Sequence, residues 1–214
     1  MSTILVKKTA EYVKKKLSGE PTGHDWFHVE RVRKTALKLH QQEGGDKELI
    51  ELSSLLHDLG DYKFYGLSEI KGNLVLRGMM EVMEIKNELQ EKIMKIISES
   101  QYKGDETKTP STIEGKIIQD ADWLDALGAI GVARTFATGG HVGRMIYDPS
   151  IKPRQRLSRR DYQMKKIEST SVNYFYEKIL KLPDMMNTET GKKKAQKRIK
   201  FVKFFLEEFL EEWK

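Results

Sequence analysis

The spacing of apolar residues constrains the fold of this chain more than any other feature of its sequence. Leucines recur three or four positions apart in one segment, at Leu49, Leu52, Leu56 and Leu59. This period places them on one face of a helix, whereas a half-buried strand would need strict alternation of apolar and polar residues. No alternating pattern persists along the 214 residues. The sequence therefore predicts an all-α protein.

Capping and turn residues set the expected helix boundaries. Asp25 is suited to cap a helix that runs to about Glu43, where Gly44 and Gly45 end it. The other predicted helices cover Ile4–Leu17, Lys47–Leu59, Gly66–Met83, Asn87–Ser100, Gln163–Leu182 and Thr188–Trp213, together with a helix that is capped by Ser111 or Thr112 and carries Ile113, Ile117, Leu124 and Leu127.

The segment Gly139–Arg160 differs from the rest because it combines Gly and Pro turn signals with several arginines. We interpret it as a long, exposed, basic loop. The chain length suits one domain. We therefore expect a single helical domain over residues 1–214, with a core at about 20–135 and the loop and C-terminal helices of 136–214 packed on it.

The composition excludes several classes of protein. No stretch approaches the roughly 18 uninterrupted apolar residues of a membrane span, and the N-terminal segment lacks the continuous apolar region of a signal peptide. The absence of cysteine excludes disulfides and thiolate metal sites. We expect a cytoplasmic protein without a membrane partner, either a monomer or a homodimer.

The chain is basic, with a net charge of +6 from 38 Lys and Arg against 32 Asp and Glu. Such a balance can serve nucleic acids, membrane surfaces or small anionic substrates. Because acidic and basic residues are interspersed and no nucleic-acid-binding signature accompanies them, a nucleic-acid partner is disfavoured.

Three polar clusters interrupt these apolar helices. One runs from His24 to His28, the second is the pair His57-Asp58, and the third is QDADWLD at residues 119–125. Buried imidazoles and carboxylates are costly unless a cation or a hydrogen-bonding partner meets them. Two imidazoles and two carboxylates would form a mixed nitrogen and oxygen site that suits Mn²⁺, Fe²⁺, Ni²⁺ or Zn²⁺.

A structural interpretation of the same clusters is also open at this point. A single histidine at a helix end is commonly a cap or a satisfied core residue. The aspartates of the third cluster could pair with Arg31, Arg33 or Arg134 in an ion-pair network.

The order His28, His57-Asp58, Asp122 resembles the H…HD…D signature of the HD-domain metal-dependent phosphohydrolases. The similarity is closer to a small bacterial subfamily that includes nucleotide pyrophosphohydrolases, in the segments GHDWFHVERV, LLHDLGD, IIQDADWLDALGAIGVARTF and FYEKILKLPDMMNTETGKKKA. The resemblance covers most of residues 20–214 and implies an HD-domain helical bundle.

By this resemblance, three metal ligands are His28, His57 and Asp58. Residues 120, 122 and 125 are candidates for the fourth, and helical periodicity does not choose among them. The family ligand usually stands two residues before an apolar residue, so we predict Asp122 as the ligand and Asp120 as the partner that orients an imidazole.

The resemblance also bears on the number of metal ions. Members with two ions carry extra histidines between the HD pair and the last Asp, and none occurs between positions 58 and 122 here. We expect one divalent ion, with Mn²⁺ favoured and Fe²⁺, Ni²⁺, Zn²⁺ or Mg²⁺ as alternatives.

Related members keep a carboxylate that works on the attacking water, and Asp61 matches it. Its role would be that of a general base or of a proton shuttle to the leaving oxygen. Lys63 is expected to neutralise a phosphate. Substrate contacts are expected from one histidine near the start of a helix and from three cations of the basic loop, namely His24, Arg144, Lys152 and Arg154.

These expectations combine into one leading hypothesis. The chain would cleave a (deoxy)nucleoside triphosphate to the monophosphate and pyrophosphate. The first alternative is a nucleoside 5′-monophosphatase. Two alternatives of other classes are a regulatory module that binds metal and nucleotide without hydrolysis, and a nucleic-acid binder.

Overall fold

Helices joined by turns and loops make up the structure, a computed structural model that describes residues 3–60, 69–163 and 169–214. None of these residues forms a named strand, which confirms the all-α prediction. The helices are α1 (Ile4–Lys16), α2 (Trp26–Glu43), α3 (Lys47–Leu56), α4 (Glu69–Val82), α5 (Asn87–Ser100), α6 (Ile113–Asp125), α7 (Gly128–His141), α8 (Arg159–Gln163), α9 (Ser171–Glu177), a 3₁₀ helix (Ile179–Met185) and α10 (Glu189–Glu212).

Two predicted caps are confirmed. The Asp25 side chain accepts a hydrogen bond from the His28 backbone N–H at 2.8 Å, and Thr112 accepts one from Gly115 at 3.1 Å. Such caps satisfy backbone donors that have no partner within the helix. The cap at Asp25 also sets where α2 begins and therefore where His28 lies in its first turn.

A break between α6 and α7 differs from the prediction of one helix that continues through Leu127. The N–H groups of Ala126 and Leu127 bond to carbonyls three residues back, which tightens the last turn, and Gly128 then adopts a φ of +74°. This left-handed conformation favours glycine and redirects the chain. As a result the chain leaves α6 at Asp125 and begins a separate helix, α7, at Gly128.

The predicted helix over Gln163–Leu182 is also wrong. Thr170 accepts a hydrogen bond from the Asn173 backbone N–H and so caps the start of α9, which ends at Glu177. The next residue, Lys178, has a φ of −133° and a ψ of −60°, which lie outside the helical region. A 3₁₀ helix that contains Pro183 follows. Residues 164–168 of the predicted helix, and residues 66–68 of the one predicted over Gly66–Met83, lie outside the described residues.

Two apolar clusters form the core. One contains the buried Phe175 and joins side chains of α2, α3, α5, α6, α7, α9, the 3₁₀ helix and α10. The other joins side chains of α1 to α5 around the leucines of α3. Helix α2 contributes to both and packs against α3 and α6. No helix in the described parts of the chain is long and apolar enough to cross a bilayer.

Asp120 ties α6 to the start of α10. One carboxylate oxygen accepts hydrogen bonds from the Asn187 backbone and side-chain amides, both at 2.9 Å. The other accepts from the Thr188 backbone at 2.8 Å and its hydroxyl at 2.7 Å. Burial raises the pKa of Asp120, because these hydrogen bonds only partly offset it. The Asp120 carboxylate therefore has a structural role, in which it holds α6 against the start of α10.

We predict that Asp120→Ala lowers the free energy of unfolding by about 2–4 kcal/mol, because it leaves several buried donors without an acceptor. Urea denaturation of the purified protein measures this change. The matched control is Asp184→Ala, an exposed aspartate near the same contact, which should change stability by less than about 0.5 kcal/mol. Equal stability of the two variants would contradict the prediction.

Candidate metal centre

Four predicted side chains meet where α2, α3 and α6 pack together. His28 Nε2 lies 3.2 Å from His57 Nε2, 3.1 Å from Asp58 Oδ2 and 3.5 Å from Asp122 Oδ1. His57 Nε2 lies 3.4 Å from the Asp58 carboxylate and 3.9 Å from that of Asp122. Of these, His28, His57 and Asp58 can each offer a ligand atom within 4.8 Å of the others.

Hydrogen bonds on the far side of each ring orient the two imidazoles. His57 Nδ1 lies 2.8 Å from the Ser54 carbonyl oxygen, and His28 Nδ1 lies 2.8 Å from Asp125 Oδ2. Both partners are acceptors, so each neutral ring carries its proton on Nδ1 and a lone pair on Nε2. The two lone pairs face each other across 3.2 Å, an arrangement that is repulsive unless a cation lies between them.

The Asp58 carboxylate adds to this demand for positive charge. It is buried, and the nitrogen nearest to its Oδ2 atom is His28 Nε2 at 3.1 Å. With the His28 proton on Nδ1, that nitrogen offers only a lone pair, and Oδ2 has no hydrogen-bond donor in the part of the chain that the structure describes. Burial alone would raise the pKa of Asp58, but His57 and His28 outweigh it and hold the pKa well below its usual range. An orphaned carboxylate oxygen beside two nitrogen lone pairs fits a divalent cation.

The charged groups around the site also shift the pKa of His28. Burial and the charge of Arg134 lower the pKa of His28, but the carboxylates of Asp125 and Asp58 outweigh both and raise it. Asp122 has the most exposed side chain of the four, at 37%, whereas that of His28 is fully buried. The site is therefore accessible to solvent on the side of Asp122.

Asp125 orients His28, and not Asp120 as predicted. Asp125 also binds Arg31 through both carboxylate oxygens, at 2.7 and 2.9 Å, and Arg134 at 3.2 Å. Hydrogen bonds from His28 and Arg31 hold the pKa of Asp125 far below normal, although burial opposes them. The sequence contained one signal of this role, because Asp125 is one helical turn after Asp122.

The structure places His24 beside the cluster. Its ring centroid is 5.7 Å from that of His28, and its Nδ1 is 3.0 Å from the Thr22 hydroxyl. Asp61 and Lys63, the predicted proton-transfer and phosphate-neutralising residues, lie outside the described residues.

The three residues of the basic loop that are predicted to contact substrate lie against other parts of the described chain. Arg154 forms two hydrogen bonds through its guanidinium with the buried Glu177, at 3.1 and 2.7 Å, so it is an internal ion pair. Arg144 stacks on the Tyr174 ring at 4.9 Å, and Lys152 is exposed with its Nζ 3.4 Å from the Pro149 carbonyl. None of these contacts involves the histidine cluster.

Comparison with known proteins agrees with this architecture. A family model described as the HD domain matches residues 26–127. This range contains His28, His57, Asp58 and Asp122.

Several relatives match almost the whole chain. YpgQ of Bacillus subtilis, itself described as uncharacterized, is 33% identical over 202 residues, which are 91% of this chain and 87% of YpgQ. The crystal structure of YpgQ with ADP matches with a TM-score of 0.70 and 28% identity, over 95% of this chain and 97% of that one.

Two other solved structures are similar. A protein from Lactobacillus plantarum has a TM-score of 0.88 and 33% identity, over 100% of this chain and 99% of that one. A protein from Bacillus thuringiensis, described as an HD-superfamily hydrolase, has a TM-score of 0.70 and 41% identity, over 97% and 96% of the two chains. With the helical fold and the histidine–aspartate cluster, these relatives show that the chain belongs to the HD-domain superfamily of metal-dependent phosphohydrolases.

Proposed function

We propose that this phosphohydrolase acts on nucleotides, cleaving a (deoxy)nucleoside triphosphate to the monophosphate and pyrophosphate. The observation that carries the proposal is the pair of facing Nε2 lone pairs beside the orphaned Asp58 oxygen. The ADP in the crystal structure of YpgQ supports a nucleotide as the ligand class.

We propose His28, His57, Asp58 and Asp122 as the ligands of one divalent ion, with Mn²⁺ favoured among Mn²⁺, Fe²⁺, Ni²⁺, Zn²⁺ and Mg²⁺. When bound, such an ion polarises a phosphoryl oxygen and lowers the pKa of a water molecule. The exposed side of Asp122 supports the approach of substrate from that direction.

The chain itself would supply the remaining chemistry. The hydrogen bonds at both Nδ1 atoms hold the imidazoles with Nε2 facing inward. Asp61 would accept the proton of the attacking water, and Lys63 would offset charge on the phosphate. His24, close to His28, would contact the substrate.

The deciding experiment incubates the protein and Mn²⁺ with panels of nucleoside triphosphates and monophosphates and identifies both products. Pyrophosphate with a monophosphate is the expected result. Inorganic phosphate from monophosphates alone would instead support a 5′-monophosphatase. Nucleotide-induced thermal stabilisation without any product would support a regulatory module.

We predict that His57→Ala or Asp58→Ala removes bound metal while most of the helical circular-dichroism signal remains. Each change deletes a proposed ligand, and the helices are held by apolar packing elsewhere. Elemental analysis of protein purified after equilibration with Mn²⁺ measures the effect. The matched control is His40→Ala, because the one hydrogen bond that the structure shows for the His40 side chain among the described residues is to the Gly44 carbonyl, at 2.8 Å. Full metal occupancy in the site variants would refute the assignment.

We further predict that Asp125→Asn weakens metal binding by about 10- to 100-fold without abolishing it. The amide is uncharged and a weaker acceptor for His28 Nδ1, so the ring loses part of its orientation. Calorimetric titration of the metal-free variant with Mn²⁺ measures the affinity. An affinity equal to that of the original protein would show that the Asp125 contact does not influence the site.

A further inference from the structure

We propose that Arg134 binds a phosphate group of the substrate, so that the metal site has a fixed guanidinium on the side of the Gly23–His24 turn. This inference rests on the proposed function and adds to it a cationic side chain that pairs with the negative charge of the substrate phosphate.

Arg134 reaches the site from α7 and is held at two points. Its Nε donates to the Gly23 carbonyl at 2.7 Å, and its Nη1 donates to Asp125 Oδ2 at 3.2 Å. The same Asp125 oxygen lies 2.8 Å from His28 Nδ1. The guanidinium is therefore separated from a proposed metal ligand by a single carboxylate.

Two guanidiniums share the Asp125 carboxylate. Arg31 engages both oxygens of this carboxylate at 2.7 and 2.9 Å, so Arg134 shares an anion that is already paired. The other partner of Arg134, the Gly23 carbonyl, is neutral. Asp25 also lies near Arg31 and acts on it electrostatically. The Arg134 side chain is only 13% exposed, so this guanidinium is poorly hydrated and a bound anion would stabilise it.

One edge of the guanidinium is open. Nη2 makes no hydrogen bond in the described chain. The side chain as a whole keeps 13% exposure, and Nη2 is not one of the buried atoms without a partner in the described residues. A planar guanidinium with a free edge suits the oxygens of a phosphate, which it can bind with charge-assisted hydrogen bonds.

The turn that holds Arg134 is rigid. Gly23 has a φ of +85°, and a Cβ there would lie 2.9 Å from Arg134 Cγ, so glycine permits the close approach. The Glu20 carboxylate accepts hydrogen bonds from the N–H groups of Thr22 and His24, and Thr138 binds the Thr22 carbonyl at 2.9 Å. Such a preorganised cation loses little entropy when a phosphate binds.

The test measures binding of inorganic pyrophosphate by calorimetry, with protein saturated in Mn²⁺ and the same Mn²⁺ concentration in cell and syringe. Arg134→Gln should weaken pyrophosphate binding by about 10- to 100-fold, the effect of losing a charged hydrogen bond. Arg134→Lys keeps the stem and the charge, guards against misfolding, and should lose about 10-fold because lysine cannot bind bidentately.

The matched control is Arg31→Gln, which removes the other guanidinium from the same carboxylate. It should weaken Mn²⁺ binding through Asp125 yet change pyrophosphate affinity by less than about threefold once metal is saturating. Equal losses of pyrophosphate affinity in Arg31→Gln and Arg134→Gln, or no loss in folded Arg134→Gln and Arg134→Lys, would overturn the inference.

The inference and the proposed function can fail separately. If the original protein hydrolyses nucleotides and Arg134→Gln binds pyrophosphate normally, the inference is wrong and the function stands. If Arg134 is required for pyrophosphate binding but no nucleotide is hydrolysed, the inference stands and the function is wrong. If the original protein does not bind pyrophosphate, the inference is wrong.

Discussion

The site is built around electrostatic repulsion between two imidazole nitrogens and a carboxylate oxygen. Two imidazole Nε2 atoms that both carry lone pairs lie 3.2 Å apart, next to a buried carboxylate oxygen without a hydrogen-bond partner in the described chain. A protein interior does not tolerate this combination without compensating positive charge. The packing of α2 against α3 and α6 keeps these groups together, so the fold holds open a place for a cation.

Hydrogen bonds at the Nδ1 atoms of His28 and His57 hold the two rings in this unfavourable orientation. Ser54 is in the last turn of α3, and its carbonyl fixes His57; Asp125, in the last turn of α6, fixes His28. If either ring flipped, a nitrogen with a lone pair would face an acceptor, which is unfavourable. The ends of two helices therefore determine the tautomers of two side chains, and Arg31 and Arg134 in turn keep Asp125 ionised.

Local sequence patterns predicted the helices and the clustered residues well, because apolar period and caps depend on neighbours within one or two turns. The same patterns could not show that Gly128 redirects the chain and brings Arg134 back to Asp125. They also could not show that Asp120 serves Thr188, 68 residues away, or that Arg154 pairs with Glu177. In each case tertiary packing determines the partner, and contacts between residues far apart in the chain produce no periodic pattern in the sequence.

Charge accounting explains why a phosphate ester suits this site better than a neutral ligand. The carboxylates of Asp58 and Asp122 would offset the two charges of a divalent ion, and Asp125 offsets Arg31. Arg134 shares Asp125 with Arg31 and presents a poorly hydrated guanidinium next to the proposed metal ligands. The negative charge of a phosphate group bound between the metal ion and this guanidinium would interact favourably with both. A neutral substrate would offer no negative charge to either.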